Sequence, residues 1–171
     1  MSQKESFVTP LPKDHPLYKM VGRVASEWSH VEHRLDTIIW ALSGTTNERC
    51  ACITSQIMGV PNRCNAITTL GSFTGISENA LKLVNKVKGR SFQIVDDRNR
   101  LIHDPWYMEY PAGMAAQFKA MPLKNTHYGL KPVTEAEINK IIQTIKEFGQ
   151  MAMDARKAVL AELKALRGKS A

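Results

Sequence analysis

The chain has 171 residues, a length typical of one domain whose buried core needs neither disulfides nor a structural metal. Its 23 lysines and arginines outnumber its 16 aspartates and glutamates, and the resulting net charge of +7 favours a polyanionic partner such as nucleic acid. Three cysteines exclude a fully paired disulfide framework, and the longest apolar run, residues 38–42, is too short to span a bilayer. The opening sequence MSQKESFVTPLPKDH contains no apolar stretch typical of a secretory signal. We therefore expect a cytoplasmic protein that does not associate with membranes.

The first strongly periodic segment predicts a long helix over residues 15–43. Its apolar residues recur at spacings of three and four and form one stripe: Leu17, Val21, Val24, Trp28, Val31, Leu35, Ile38 and Leu42. Asp14 and Pro16 are residue types that begin helices, and Gly44 is one that ends them.

Two short helices and a second long helix follow. Residues 47–58 and 63–73 have helical patterns and are separated by a Gly-Val-Pro break at 59–61. A long periodic segment then covers residues 77–103. This helix is expected to end near its last residue because Pro105 disfavours helical geometry at the residue before it.

The region 106–132 differs in kind from the helices. It is rich in proline and aromatic residues, and WYMEY and MAAQFKAM flank a Pro-Ala-Gly turn, which predicts a β-hairpin.

Thr134 and Glu137 then form a capping box at the start of a helix over residues 135–167. The expected fold is mainly α, a single-domain antiparallel helical bundle over residues 1–171. Residues 1–14 form an extended segment, and a β-hairpin or long loop is inserted before the last helix.

The histidines of the first helix and the cysteines do not form a recognisable metal site. Glu-x-x-His spacing occurs in EWSHVEH, but a di-iron bundle needs a second copy, and His30 and His33 face away from the apolar stripe. Cys50, Cys52 and Cys64 lack paired C-x-x-C spacing and are expected to be buried small residues on the short helices. We therefore expect neither a metal nor another cofactor.

Arg98, in the segment VDDRNRLIHDPW, lies at the centre of an apolar stripe. On a helix, four apolar residues all lie within about 60° of it: Val87, Ile94, Leu101 and Ile102. An unpaired guanidinium is costly to bury, so Arg98 must find an acceptor, face a partner subunit or line a site for an anion. The structural alternative is an ion pair with a core carboxylate such as Glu32.

Asn99 and His103 are four residues apart and therefore occupy adjacent turns of one helix face. A histidine is the side chain type here that is suited to proton transfer near neutral pH. The alternative is a histidine that only bonds a carbonyl in the last turn of the helix.

Together Arg98, Asn99 and His103 form the pattern RNxxxH, which resembles the signature of the HEPN superfamily. That superfamily consists of antiparallel helical bundles whose motif lies near the end of a late core helix. The segment WSHVEHRLDTIIWALSG is similar to its opening helix. The resemblance covers most of residues 15–168, except for the insert at 106–132.

The resemblance implies metal-independent cleavage of RNA by a homodimer, in many members as a toxin or defence effector controlled by an antitoxin or another partner protein. His103 would transfer protons, Arg98 would bind the scissile phosphate, and Asn99 would orient either of them. Arg98 and His103 are offset by about 7.5 Å along a helix and 140° around it, so two copies would converge better on one phosphate. The alternative is a non-catalytic module that binds a nucleotide or dimerises.

The aromatic and basic residues of the insert are open to two interpretations. Trp106, Tyr107, Tyr110 and Lys119 would either stack on and steer RNA or serve as packing residues.

Overall fold

The computed structural model describes residues 7–110, 113–120 and 128–169, apart from the side chains of residues 7, 110, 119, 120 and 128. The described residues form five helices and four strands. In chain order these are β1 (Phe7–Pro10), α1 (Leu17–Ser43), α2 (Asn47–Thr54), α3 (Gly59–Phe73), α4 (Glu78–His103), β2 (Trp106–Tyr110), β3 (Met114–Ala120), β4 (Tyr128–Pro132) and α5 (Glu135–Lys169). The predicted mainly α fold is confirmed, and three of the strands lie between α4 and the last helix. None of the described helices has the length and apolar character needed to cross a bilayer.

The ends of the long helices follow from local chemistry. α1 begins after His15, whose Nδ1 accepts a hydrogen bond from the backbone N–H of Leu17 at 3.3 Å. It ends before Gly44, which has a φ of +68° and so provides the left-handed residue that commonly follows a helix. The predicted capping box of α5 is present. The backbone N–H of Thr134 donates to Glu137 Oε2 at 2.8 Å, and that of Glu137 donates to Thr134 Oγ1 at 3.2 Å.

The two short helices differ from their predicted boundaries. α2 already ends at Thr54, and α3 already starts at Gly59, so the Gly-Val-Pro segment is the first turn of a helix and not a break. Pro61 is tolerated there because the first N–H groups of a helix have no acceptor within the helix.

The four strands form one antiparallel sheet in the order β1-β2-β3-β4. The predicted hairpin is β2 paired with β3, with Tyr107 opposite Ala116. The sequence analysis did not identify β1, which pairs along the outer edge of β2, or β4, which pairs with β3.

The chain divides into two compact units. The sheet unit comprises Met1–Ala25 and Asp96–Gln143, and the helical unit comprises Ser26–Val95 and Thr144–Ala171. In the sheet unit, the buried residues include Leu11, Leu17, Val24, Leu101, Trp106, Ala116 and Ile138. In the helical unit, the largest fully buried side chains include Phe148, Leu35, Ile38, Ile67 and Ile145.

Within the helical unit, α1 and α5 are held together by side-chain contacts along their length. The rings of Trp28 and Phe148 stack with centroids 5.7 Å apart. Further along both helices, Arg156 Nε donates to Thr37 Oγ1 at 2.9 Å. Since the contacting residue numbers increase together, these parts of α1 and α5 run in the same direction. Periodicity alone does not fix this detail of the bundle.

Candidate functional site

The three motif residues lie in the last turns of α4, in the sheet unit. Arg98 and Asn99 are half-buried, whereas His103 is exposed and is the last residue of the helix. Arg98 Nη1 donates a hydrogen bond to Asn99 Oδ1 at 2.8 Å. The structure thus joins Arg98 and Asn99 directly and leaves the imidazole of His103 accessible from outside.

The Arg98–Asn99 hydrogen bond has a chemical consequence for both side chains. Because Asn99 Oδ1 accepts from the guanidinium, the amide nitrogen of Asn99 is the group left to donate to a ligand. The positive charge in this contact lies on Arg98, because the amide of Asn99 is neutral. His103, one turn beyond Asn99 on the same face, adds a group that both accepts and donates a proton.

A pair of oppositely charged residues lies in the same turns. Arg100 Nη1 is 3.7 Å from Asp104 Oδ2, and both side chains are mostly buried. The positive charge of Arg100 is therefore opposed locally by a carboxylate.

Side chains of the sheet fix the carboxyl end of α4. Trp106 Nε1 donates to the backbone carbonyl of Leu101 at 3.1 Å, and Gln117 Nε2 donates to that of Arg100 at 3.0 Å. The last carbonyls of a helix lack partners within the helix, and the Trp106 indole supplies one for Leu101. Gln117 is a second donor to the Arg100 carbonyl, which also accepts from the backbone N–H of Asp104. Both side chains are buried, with Gln117 only 1% exposed. The helical turn that carries His103 is therefore anchored by β2 and β3.

The structure also bears on the aromatic residues of the insert. Trp106 is 8% exposed, and its indole N–H donates to the Leu101 carbonyl at the end of α4. Trp106 is therefore a packing residue. Tyr107 is half-buried. The side chains of Tyr110 and Lys119 lie outside the described residues.

The sequence analysis missed a buried arginine elsewhere, in the helical unit. Arg63 on α3 donates from Nε to Asp36 Oδ1 at 2.8 Å, and its Nη1 lies 3.5 Å from Glu32 Oε1. Glu32, considered above as a partner for Arg98, thus has Arg63 beside it. The sequence signal is the pair of carboxylates at positions 32 and 36, four residues apart on α1.

The histidines of α1 are placed as the apolar stripe predicts. His30 and His33 are both exposed, and the ring of His33 meets the edge of Trp40 with centroids 5.7 Å apart. Across the described part of the chain, no group of three or more His, Cys, Asp or Glu side chains is placed to hold a metal ion.

The cysteines are only partly as predicted. Cys50 and Cys64 are buried, but Cys52 is exposed, so the expectation of burial was wrong for Cys52. It lies two residues after a buried position, where a helix turns by about 200° and its side chain therefore points away from the core. Burial raises the pKa of the Cys64 thiol to about 12.

We compared the chain with known protein families, curated proteins and solved structures. No family model, curated protein or solved structure matches this chain. The function proposed below is therefore supported by the motif residues and their surroundings.

Proposed function

We propose that this protein is a metal-independent endoribonuclease of the HEPN type, with Arg98, Asn99 and His103 as its active-site residues. The observation that supports the proposal best is their placement on the last turns of α4. An accessible imidazole lies one turn beyond a guanidinium–amide pair. The net charge of +7 is in keeping with an RNA substrate.

The reaction that these groups suit is transesterification within the RNA strand. The ribose 2′-oxygen loses its proton and forms a bond to the adjacent phosphorus, and the bond from phosphorus to the 5′-oxygen breaks. His103 takes the 2′-hydroxyl proton, and an imidazolium gives a proton to the leaving 5′-oxygen. Arg98 stabilises the extra negative charge on the phosphorane, and the Asn99 amide orients the phosphate. The products are a 2′,3′-cyclic phosphate and a 5′-hydroxyl.

The reaction needs a base on one side of the phosphorus and an acid on the other. A single copy supplies one His103, offset by about 7.5 Å along the helix from Arg98. We therefore propose a symmetric homodimer, with residues 95–106 of each copy facing the other, so that one copy supplies the base and the other supplies the acid. In a toxin or defence effector of this type, a partner protein would restrain the assembled site.

RNA cleavage in the presence of EDTA tests the proposal. Wild-type protein is incubated with single-stranded and with structured RNA, beside His103→Ala. The control variant is His30→Ala, which makes the same change at an exposed position on α1. We expect cleavage by the wild type and by His30→Ala, with a rate about 100-fold or more lower for His103→Ala. Equal cleavage by His103→Ala and His30→Ala would show that the active site lies elsewhere.

The role of Arg98 needs activity and stability measured on one sample. If Arg98 stabilises the phosphorane, Arg98→Ala keeps its fold and loses about 100-fold or more in rate. If Arg98 is instead a member of a structural ion pair, the same variant loses about 3 kcal/mol of stability, and the remaining native fraction keeps its activity. Arg98→Lys keeps the charge but not the two-pronged geometry, so we expect it to recover only part of the rate.

A further inference from the structure

The first half of α4 carries three cations in a line. Lys82, Lys86 and Arg90 are four residues apart, and all three are exposed. On a helix this spacing places successive side chains about 6 Å apart along the axis and within about 40° of each other around it. Lys82, Lys86 and Arg90 are called the α4 basic line below.

The immediate neighbours of the α4 basic line leave its charge largely uncompensated. Lys82 Nζ is 4.0 Å from Glu78 Oε2, and with side chains 66% and 92% exposed this contact is weak. Arg90 Nη1 donates to the uncharged amide oxygen of Gln93. Lys88 is turned away from the line, since its Nζ donates to Asn65 Oδ1 on α3 at 2.7 Å.

The backbone is bare at one position beside the α4 basic line. Gly89 is exposed, and a Cβ atom added there would meet nothing within 4 Å, so the backbone is open to a ligand. Phe92 is 56% exposed, but it points about 160° away from Arg90 around the helix, so its ring lies on another face. The cations and the bare backbone are therefore the features of this face that suit a phosphate chain.

We propose that the α4 basic line and the bare backbone at Gly89 bind the RNA substrate, with successive phosphates on the three cations. This inference rests on the proposed function, which makes RNA the ligand. The 6 Å steps of the line are comparable with the distance between neighbouring phosphates of an extended strand. At Gly89, three residues after Lys86, no side chain obstructs the strand.

Another helix offers a matched control. Lys146, Lys157 and Lys164 on α5 are exposed and share one face. They are about 16 Å and 10 Å apart along the axis, too far apart for successive phosphates. Replacing all three by alanine removes the same charge without removing a closely spaced line.

Binding is measured on the intact chain carrying His103→Ala, so that the RNA is not consumed. A fluorescent single-stranded RNA is titrated at several salt concentrations. We expect Lys82→Ala/Lys86→Ala/Arg90→Ala to bind about tenfold or more weakly, with the slope of log K against log salt reduced by about two. The α5 triple variant keeps most of the affinity and the slope. Equal losses in the two triple variants would overturn the proposal.

Gly89 provides a test at a single position, with Phe92 as its control. Gly89→Glu introduces a carboxylate beside the cations, whereas Gly89→Gln adds the same bulk without charge, and both favour the helix. We expect Gly89→Glu to bind several-fold more weakly than Gly89→Gln. Phe92→Ala, a change on another face of α4, should leave the affinity and the salt slope unchanged. Indistinguishable binding by Gly89→Glu and Gly89→Gln would contradict the proposed path of the strand.

These measurements separate failure of the inference from failure of the proposed function. A wild-type protein that binds RNA through the α4 basic line but does not cut it would refute the enzyme and leave the surface intact. An active enzyme whose KM for RNA is unchanged in Lys82→Ala/Lys86→Ala/Arg90→Ala would refute the surface and leave the enzyme intact.

Discussion

Gln117 on β3 donates a hydrogen bond from its Nε2 to the backbone carbonyl of Arg100, two residues after Arg98, at 3.0 Å. The same carbonyl also accepts from the backbone N–H of Asp104 at 3.0 Å. A buried side chain of the sheet thus fixes the turn of α4 that follows Arg98 and Asn99. The inserted hairpin is therefore part of the framework of the candidate site.

Replacing Gln117 tests this anchoring. Gln117→Leu removes one of two hydrogen bonds to the Arg100 carbonyl, so we expect a loss of about 1 kcal/mol, or roughly 2–4 °C in melting temperature. Gln117→Glu places a carboxylate against that carbonyl in a buried position, and the loss should be clearly larger. Thermal unfolding of the two variants measures both effects. A Gln117→Glu variant as stable as Gln117→Leu would contradict the buried contact.

Trp106 allows a subtler change at the same helix end. Trp106→Phe keeps an aromatic ring in the core of the sheet unit but removes the N–H that donates to the Leu101 carbonyl. A buried carbonyl then loses its partner, which costs about 1–3 kcal/mol, in addition to the loss of packing from the smaller ring. If this bond positions His103, kcat for RNA falls while KM stays the same. Loss of stability with unchanged kcat would limit Trp106 to a structural role.

Most of the helical framework could be predicted because periodicity and end signals are local. The α1 stripe, Gly44 and the Thr134–Glu137 capping box identify helix ends within a few residues. β1 and β4 could not be predicted in this way. β1 has four residues and ends in Pro10, and β4 contains a glycine and ends in Pro132, so neither shows a clear alternation. Their strand geometry depends on pairing with β2 and β3.

The position of the candidate site in the chain could be predicted, but the contacts that hold it in place could not. The sequence places Arg98, Asn99 and His103 at the end of a helix, since Pro105 follows closely. It does not indicate that Gln117 donates to that helix, because residues 100 and 117 meet only after the hairpin has folded. Arg63 was missed for a related reason. Its partners Glu32 and Asp36 are on α1, and the sequence pattern of α1 does not show which cation those carboxylates contact.

Glu162 and Ser77 give the helical unit a pH-dependent contact. Hydrogen bonds from the Ser77 hydroxyl at 2.6 Å and from its backbone N–H at 2.7 Å lower the pKa of Glu162. A carboxyl with a lowered folded-state pKa stabilises the fold above its unfolded pKa of about 4.3, and this contribution disappears as pH falls through the folded pKa.

We therefore expect Glu162→Gln to be less stable than wild type at pH 7, with the difference shrinking as the pH falls below about 4. The effect is small because the contact is exposed. Chemical denaturation at neutral and acidic pH measures it. A cycle with Ser77→Ala isolates the pair, and equal effects of Glu162→Gln in the presence and absence of the Ser77 hydroxyl would argue against the side-chain bond.

The three cysteines should differ sharply in reactivity. Cys52 is exposed, whereas Cys50 and Cys64 are buried, and burial raises the pKa of the Cys64 thiol to about 12. Since the thiolate is the reactive form, native protein at pH 8 should take up one equivalent of iodoacetamide, at Cys52. Intact mass and peptide mapping follow the reaction. Cys52→Ser should remove fast labelling, and rapid modification of Cys64 in native protein would show that its site opens readily.

The ion cluster of Arg63, Glu32 and Asp36 should be the most sensitive charged group of the helical unit. The three side chains are 11%, 25% and 15% exposed, so removal of the cation leaves two poorly solvated carboxylates. Arg63→Met should therefore cost about 3 kcal/mol, at the lower end of the range for buried pairs because the cluster retains some solvent.

A control and a rescue test this origin of the loss. Arg49→Met makes the same change at an exposed position of α2, where we expect less than about 0.5 kcal/mol. Adding Glu32→Leu and Asp36→Leu to Arg63→Met removes the stranded carboxylates and should restore most of the lost stability. Urea denaturation of the four proteins gives the comparison. If Arg63→Met loses no more than Arg49→Met, the cluster is better solvated than its burial indicates. A triple variant less stable than Arg63→Met would contradict this origin. In that case the hydrogen bonds of the cluster would stabilise the fold by more than the burial of its charges destabilises it.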